Sequence, residues 1–324
     1  MRGLEADGRY KAVYGARGKR FAALRTWLRF RPTYLHYDWN TYYFMRRTKL
    51  MTEVFGFFFL LDIRIVRLLG CRVVWTAHQM EGHDAPFAET QRSIQRRFAR
   101  LCEWVRVMGP STVARAKEFL ELSPDRIRVQ PEGSFVDHYP NELTGDECRR
   151  ALDLAPSEFV FLFLGSIKPY KGVDRLVSTF ASLPGAHLRL IVAGRCRDPV
   201  FVRQLEESGR KDRRILLHLG FVPDERVQVY MKACNVVVLP FEKIENSGTV
   251  ILAMGFAKPV IAPSLGVLQE RLAAQTDLLY EGGLLRQAME HTIALGPAAL
   301  DRRGERNRQA LEAHRWEDIV TLFE

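Results

Sequence analysis

The chain has 324 residues, of which 47% are hydrophobic and 27% charged. That is the profile of a globular protein with one large or two medium cores, and no low-complexity tract or internal repeat interrupts it. The net charge of +10 is confined to one part: residues 1–140 hold 24 Lys and Arg against 14 Asp and Glu, and residues 141–324 hold 24 against 24.

A basic face suits a phosphorylated ligand, an anionic lipid or nucleic acid, and equally a plain solvated surface. No nucleic-acid motif accompanies the charge, so that reading rests on charge alone. The cysteines Cys71, Cys102, Cys148, Cys196 and Cys234 are scattered and odd in number. They lack C-x-x-C spacing and read as core residues of a reducing cytosol.

Roughly the first 30 residues read as basic and helical, with Trp27, Leu28 and Phe30 on an apolar side. The polar start does not resemble a signal peptide. "TYLHYDWN" at 33–40 reads as a short strand with polar residues at its end. Residues 49–69 read as a long helix. Its most apolar part, "VFGFFFLL" at 54–61, falls short of the about 20 residues a bilayer span requires. An amphipathic helix fits better, either buried or lying on a membrane surface. "CRVVWTAHQ" at 71–79 is a buried strand that ends at His78. A helix over 86–103, a strand at 105–108, a helix N-capped by Ser111 and a strand ending at Pro131 follow.

Residues 132–158 mix polar residues with Gly and Pro and read as a domain linker. Beyond it, the apolar runs "FVFLFLG", "LRLIVAG", "RILLHLG", "NVVVLP" and "PVIAP" alternate with helices starting near Val173, Pro199, Asp224 and Gly248. That alternation predicts an α/β fold with a parallel sheet covered on both faces. Ligands then bind beyond the carboxyl ends of the strands.

Two strand-to-helix loops carry candidate chemistry. In "GSIKPYKGVDRL" (165–176), Gly165 and Gly172 let the backbone approach a ligand, while Lys168 and Lys171 supply cations. A surface loop with solvated lysines has the same composition. In "FEKIENSGTVIL" (241–252), Asn246 or Ser247 can cap a helix, and the N–H groups of Ser247, Gly248 and Thr249 can cradle a second phosphate. Glu245 stands ready to accept from sugar hydroxyls.

These segments, in this order and spacing, resemble the donor domain of GT-B glycosyltransferases, close to glycosyltransferase family four and its bacterial polysaccharide and glycolipid branch. The resemblance implies two Rossmann-like domains facing across a cleft. They would be an acceptor-side domain at 1–140 shortened at its start, a nucleotide-sugar domain at 141–300, and a helical segment at 301–324 packing back on the first domain. It implies that Ser166, Lys168, Lys171 and the later helix start hold the donor diphosphate, with the base and ribose near Gly194, Phe221 and Val222. It also implies that His78 faces the donor sugar and that Asp38, Trp39 and His83 line the acceptor side. The family pattern has two glutamates, which fall here at Ile244 and Leu252. Glu245 is the one nearby acid, shifted by a residue.

On this resemblance, the chain is expected to be a retaining hexosyltransferase moving mannose or glucose from a GDP- or UDP-sugar. The acceptor is a soluble or lipid-linked saccharide. No obligatory metal or other cofactor is expected, because no DxD pair sits in a metal-binding context. The expected location is cytoplasmic, at the inner face of a membrane, with the basic half against anionic lipid. The alternatives are a GT-B epimerase or phosphorylase, or a degenerate nucleotide-sugar-binding partner subunit.

Overall fold

The computed structural model describes residues 8–16, 20–78, 80, 86–242, 244, 246–314 and 316–323. Two compact units result: Met1–Glu132 with Trp316–Glu324, and Gly133–Arg315.

The first unit runs α1 (Ala22–Phe30), β1 (Tyr34–Tyr37), α2 (Thr41–Phe44), α3 (Lys49–Leu68), β2 (Arg72–Thr76), α4 (Ala88–Leu101), β3 (Val105–Val107), α5 (Ser111–Leu120) and β4 (Ile127–Val129). Its strands are parallel and lie in chain order, β1-β2-β3-β4. Phe59, Ile63 and Val66 of α3 pack under the sheet with Trp75 and Phe98.

The N-terminal helix is shorter than the sequence suggests, because residues 8–16 form neither helix nor strand. The start of α1 is fixed from outside. The buried Asp62 carboxylate of α3 accepts from the Ala23 and Leu24 N–H groups at 2.8 and 2.9 Å, a cap supplied by a neighbouring helix. Burial raises the Asp62 pKa above its usual value, opposed by those two bonds. Ser111 is the first helical residue of α5, with Pro110 in the cap position it was expected to fill.

The second unit begins with α6 (Gly145–Arg150), set by a Thr144–Glu147 capping box. Gln228 accepts from the Glu142 and Leu143 N–H groups, and Lys232 donates to the Asn141 and Leu143 carbonyls. The stretch expected as a linker is therefore bound into this unit from its start at Gly133. There follow β5 (Phe159–Leu164), α7 (Val173–Ala181), β6 (Leu188–Ala193), α8 (Pro199–Arg210), β7 (Ile215–His218), α9 (Asp224–Ala233) and β8 (Val236–Val238). The unit continues with α10 (Gly248–Gly255), β9 (Val260–Pro263), α11 (Gly266–Arg271), β10 (Leu279–Tyr280), α12 (Leu285–Leu295) and α13 (Pro297–Glu312).

The six strands are parallel in the order β7-β6-β5-β8-β9-β10. Every residue of β5 is buried, as its unbroken apolar run requires. Strand order reverses between β5 and β8, so the loops leaving those two strands part to opposite sides and open a crevice.

The unit limits differ from the expected 140 and 300. Residues 301–312 stay with the second unit, because α13 packs on it. A side chain at Gly304 would run into the Ala257 carbonyl, and Asn307 donates to the Lys258 carbonyl and to Gln275. The first unit takes back only the last residues, where Leu322 is buried with Val74 and Trp104.

Candidate active site

The switch point of the second sheet gathers the loops after β5, β6 and β8. Gly165 and Gly194 adopt φ of +136° and +150°, conformations that favour glycine. A Cβ on Gly194 would meet the Gly165 carbonyl, so these two strand ends touch backbone to backbone. Gly172, at φ +66°, packs against the Pro240 carbonyl in the same way. Arg175 donates to that carbonyl at 2.7 Å, and the Glu242 N–H donates to the Tyr170 carbonyl at 3.2 Å. The loops on either side of the reversal are thus locked together.

Three groups converge at the mouth of this crevice. A Cβ on Gly165 would lie 3.2 Å from Thr249 Oγ1 and 3.8 Å from Lys171 Nζ. The Lys171 ammonium donates to Ser166 Oγ at 3.1 Å and sits over the Phe241 ring. Burial, helped by the charge of Lys168, pulls the Lys171 pKa down to about 8. An ammonium held in this way gains most from an anionic ligand, which returns the counter-charge lost on leaving water.

The start of α10 completes the cradle, with one change. Ser247 is the N-cap, its hydroxyl accepting from the Val250 N–H at 3.4 Å, while its own N–H donates to Asn246 Oδ1 at 2.9 Å. Ser247 therefore shapes the helix start and is not one of its free donors. By their place in the first turn, the N–H groups of Gly248 and Thr249 are the ones without an intrahelical acceptor.

Phe221 follows the end of β7 and is 66% exposed, under the Arg195 guanidinium at 5.2 Å. That pair makes a flat cationic platform beside Gly194, suited to stacking a base. Arg195 was missed in the sequence, although it directly follows the glycine at the end of β6. Val222 packs against the core next to Phe221. Lys168 stands over the Tyr170 ring at the start of the loop turn. Of the two positions where the family pattern has an acid, Leu252 is buried, so an acid there would be a buried charge, while Ile244 is partly buried against the core. Glu245 lies outside the described residues.

The first unit carries a second cluster, at the carboxyl ends of β1, β2 and β4. His78 Nε2 lies 3.2 Å from Asp38 Oδ1, and His78 Nδ1 lies 3.7 Å from Glu132 Oε1. The Trp39 ring stacks on His78 at 5.0 Å with an 11° tilt. His36 Nε2 bonds Thr76 Oγ1 at 2.7 Å and lies 3.7 Å from Asp38. Arg106 donates to the Gln130 and Pro131 carbonyls, holding the segment that carries Glu132.

Burial pushes the Asp38 pKa up, but its hydrogen bond to His78 and the nearby His36, His78 and Arg106 charges outweigh that and leave it below the usual value. Burial is also the main cause that lowers the His36 pKa. The two carboxylates fix the orientation of the imidazole, which can take a proton from a hydroxyl only at a nitrogen that one of them gives up. The structure thus brings His78, Asp38 and Trp39 together, and His83 lies outside the described residues. Glu132 was read only as the first residue of a linker. The rule that found His78, a polar residue beyond a strand's carboxyl end, applies to it equally.

Each unit is an α/β fold built on a parallel sheet, the fold class of GT-B glycosyltransferases. Residues 158–295 match the family described as glycosyl transferases group 1. The chain is 27% identical over 277 residues to the GDP-mannose:glycolipid 4-beta-D-mannosyltransferase of Xanthomonas campestris pv. campestris, covering 84% of this chain and 74% of that protein. Among solved structures it resembles the sucrose-phosphate synthase of Thermosynechococcus elongatus, with TM-score 0.74, 20% identity and coverage of 93% and 74% of the two chains. Anabaena HepE in complex with UDP-glucose gives TM-score 0.70 and 16% identity, over 84% and 76%.

Proposed function

We propose that the protein transfers a hexosyl group, mannosyl in the first instance, from GDP-mannose to a saccharide carried on a lipid. The observation that carries this is the convergence of Gly165, Lys171 and Thr249 at the switch point, with the Gly248 and Thr249 N–H groups beside them. The name of the Xanthomonas relative supports the choice of nucleotide and of a glycolipid acceptor.

The bond between the sugar C1 and the diphosphate oxygen breaks, and a bond from the acceptor oxygen to C1 forms. Negative charge develops on the departing diphosphate. Lys171 and the helix N–H groups stabilise it in place, with Lys168 adding to the field. Phe221 and Arg195 hold the base by stacking. No metal or protein nucleophile is needed in this scheme.

Two stereochemical courses remain. The family resemblance implies retention, in which the departing phosphate oxygen takes the acceptor's proton. Inversion requires a placed base for an acceptor attacking opposite the leaving group, and His78 is the candidate once one of its nitrogens is released from a carboxylate. A β-mannosyl product, as in the name of the Xanthomonas relative, is formed from α-linked GDP-mannose by inversion.

The test is incubation with GDP-mannose, UDP-glucose and a diphosphate-linked lipid saccharide, following nucleotide release and glycolipid formation. The proposal expects turnover with GDP-mannose. Binding without turnover would leave a nucleotide-sugar-binding subunit instead. The anomeric coupling of the new linkage, read by NMR, decides between retention and inversion.

A further inference from the structure

The two loops of the cradle meet at one buried carbonyl. Pro240 follows the end of β8 and is buried together with its neighbours Leu239 and Phe241. A buried carbonyl needs a donor. Here the donor is Arg175 Nη2 of α7, at 2.7 Å. Gly172, at φ +66°, lies against the same carbonyl, and a Cβ there would collide with it. Positions 172 and 175 are nearly one turn apart, so the start of α7 grips Pro240 at two points.

A third strand end stands behind this grip. Tyr280 ends β10, next to Pro263 of β9, and is 4% exposed. Burial pushes its pKa up to about 12, opposed by the Arg175 charge, so phenol and guanidinium are neighbours. Arg175 Nε is buried and makes no hydrogen bond. A half-buried cation with an unmatched N–H is a poor device for stability alone, which an apolar residue of similar volume would serve as well. What the guanidinium does that an apolar residue cannot is hold the Pro240 carbonyl at a set place.

That place matters for Lys171. Phe241 directly follows Pro240, is 2% exposed, and has the Lys171 ammonium over its ring at 5.7 Å. The Glu242 N–H then donates to the Tyr170 carbonyl, next to Lys171. Burial is the main cause of the lowered Lys171 pKa, and the charge of Lys168 adds to it. Arg175 thus acts on Lys171 through the loop rather than by its own charge.

We infer that Arg175 is a positioning residue for the cradle: through the Pro240 carbonyl it sets Phe241 beneath Lys171 and keeps that ammonium enclosed for an anionic ligand. The inference rests on the donor-binding reading above for the identity of the anion. The brace itself rests on the geometry of the two loops.

Arg175→Met keeps an apolar stem and removes the donor. The Lys171 titration is read without ligand, by NMR of the carbon-13 dimethylated chain, with Lys171→Arg assigning the signal. The parent should titrate near 8. Arg175→Met should titrate about one unit higher, because a freed Phe241 lets water reach the ammonium. Its affinity for GDP-mannose should fall by about tenfold, the scale of a displaced charged hydrogen bond. Gly172→Ala displaces the same carbonyl without altering any charge and should move both readings in the same direction. Arg303→Met breaks the Arg303–Asp277 pair of the same unit instead. It should lower unfolding stability and leave both readings at the parent value. An unchanged Lys171 titration in Arg175→Met overturns the inference, and so does an equal shift in Arg303→Met, which would reduce the effect to general loosening. A parent that binds neither GDP-mannose nor UDP-glucose, with the Lys171 shift present, keeps the brace and removes the donor reading.

Discussion

The two units build their polar sites from different materials. In the Gly133–Arg315 unit the site is mostly backbone: glycines at strand ends, a helix start, and one buried ammonium. In the other unit it is side chains from three strand ends, with His78 between Asp38 and Glu132. A backbone cradle suits a ligand that is always a diphosphate. A side-chain cluster suits a proton, whose holder must change charge during each cycle. Binding and proton transfer should therefore fail separately when each site is damaged.

The largest expected effect is on turnover. His78→Ala should lower kcat about 10²–10⁴-fold, the usual range for a lost general base, while the donor KM moves little. Steady-state kinetics with GDP-mannose read this directly. An unchanged kcat removes the base from the first unit and leaves retention as the simpler course. Glu132→Gln should lower kcat less than His78→Ala, because Glu132 faces the imidazole at 3.7 Å without touching substrate.

A second expectation concerns the fold under the cradle. Leu252→Glu restores an acid where the family pattern has one, but the side chain at 252 is buried in the core. The variant should lose roughly 3–5 kcal/mol of stability, measured by denaturant unfolding, with no gain in activity. A stable variant with improved turnover would show that position 252 reaches the ligand.

The pH dependence of donor binding follows from Lys171. Its folded pKa is about 8, lowered by burial and by Lys168, so the cation is present below that pH and lost above it. Donor affinity should be level below pH 8 and fall by up to about tenfold per unit above it. Lys171→Arg, which cannot deprotonate there, should flatten the curve. The smallest effect is expected at the base platform: Phe221→Ala or Arg195→Ala should weaken GDP-mannose by about tenfold, in line with stacking energies, without changing kcat. Isothermal titration measures both.

How much of this was legible in the sequence follows the same division. The β5 loop could be read because its chemistry is local: two glycines and two lysines within eight residues, between an apolar run and a helix. The capping role of Ser247 was legible, but its lost N–H was not, since Asn246 turns back onto it only in three dimensions. The second sheet was legible as five apolar runs, and its strand order was not, because order is set by crossovers. Glu132 and Arg106 were passed over for a related reason. Their meaning comes from β2 and β4 lying on either side of β3 in one sheet, which no local pattern records. The supposed linker misled because mixed composition was taken as exposure, while Gln228 and Lys232 hold it to α9.

The separation of the two sites is tested most directly by titrating GDP-mannose into the parent, Lys171→Ala and His78→Ala proteins under one set of conditions. The account predicts that Lys171→Ala loses about 10²-fold in affinity, while His78→Ala binds like the parent but turns over slowly. Equal binding by Lys171→Ala and the parent, or a matching loss of affinity in His78→Ala, would contradict it.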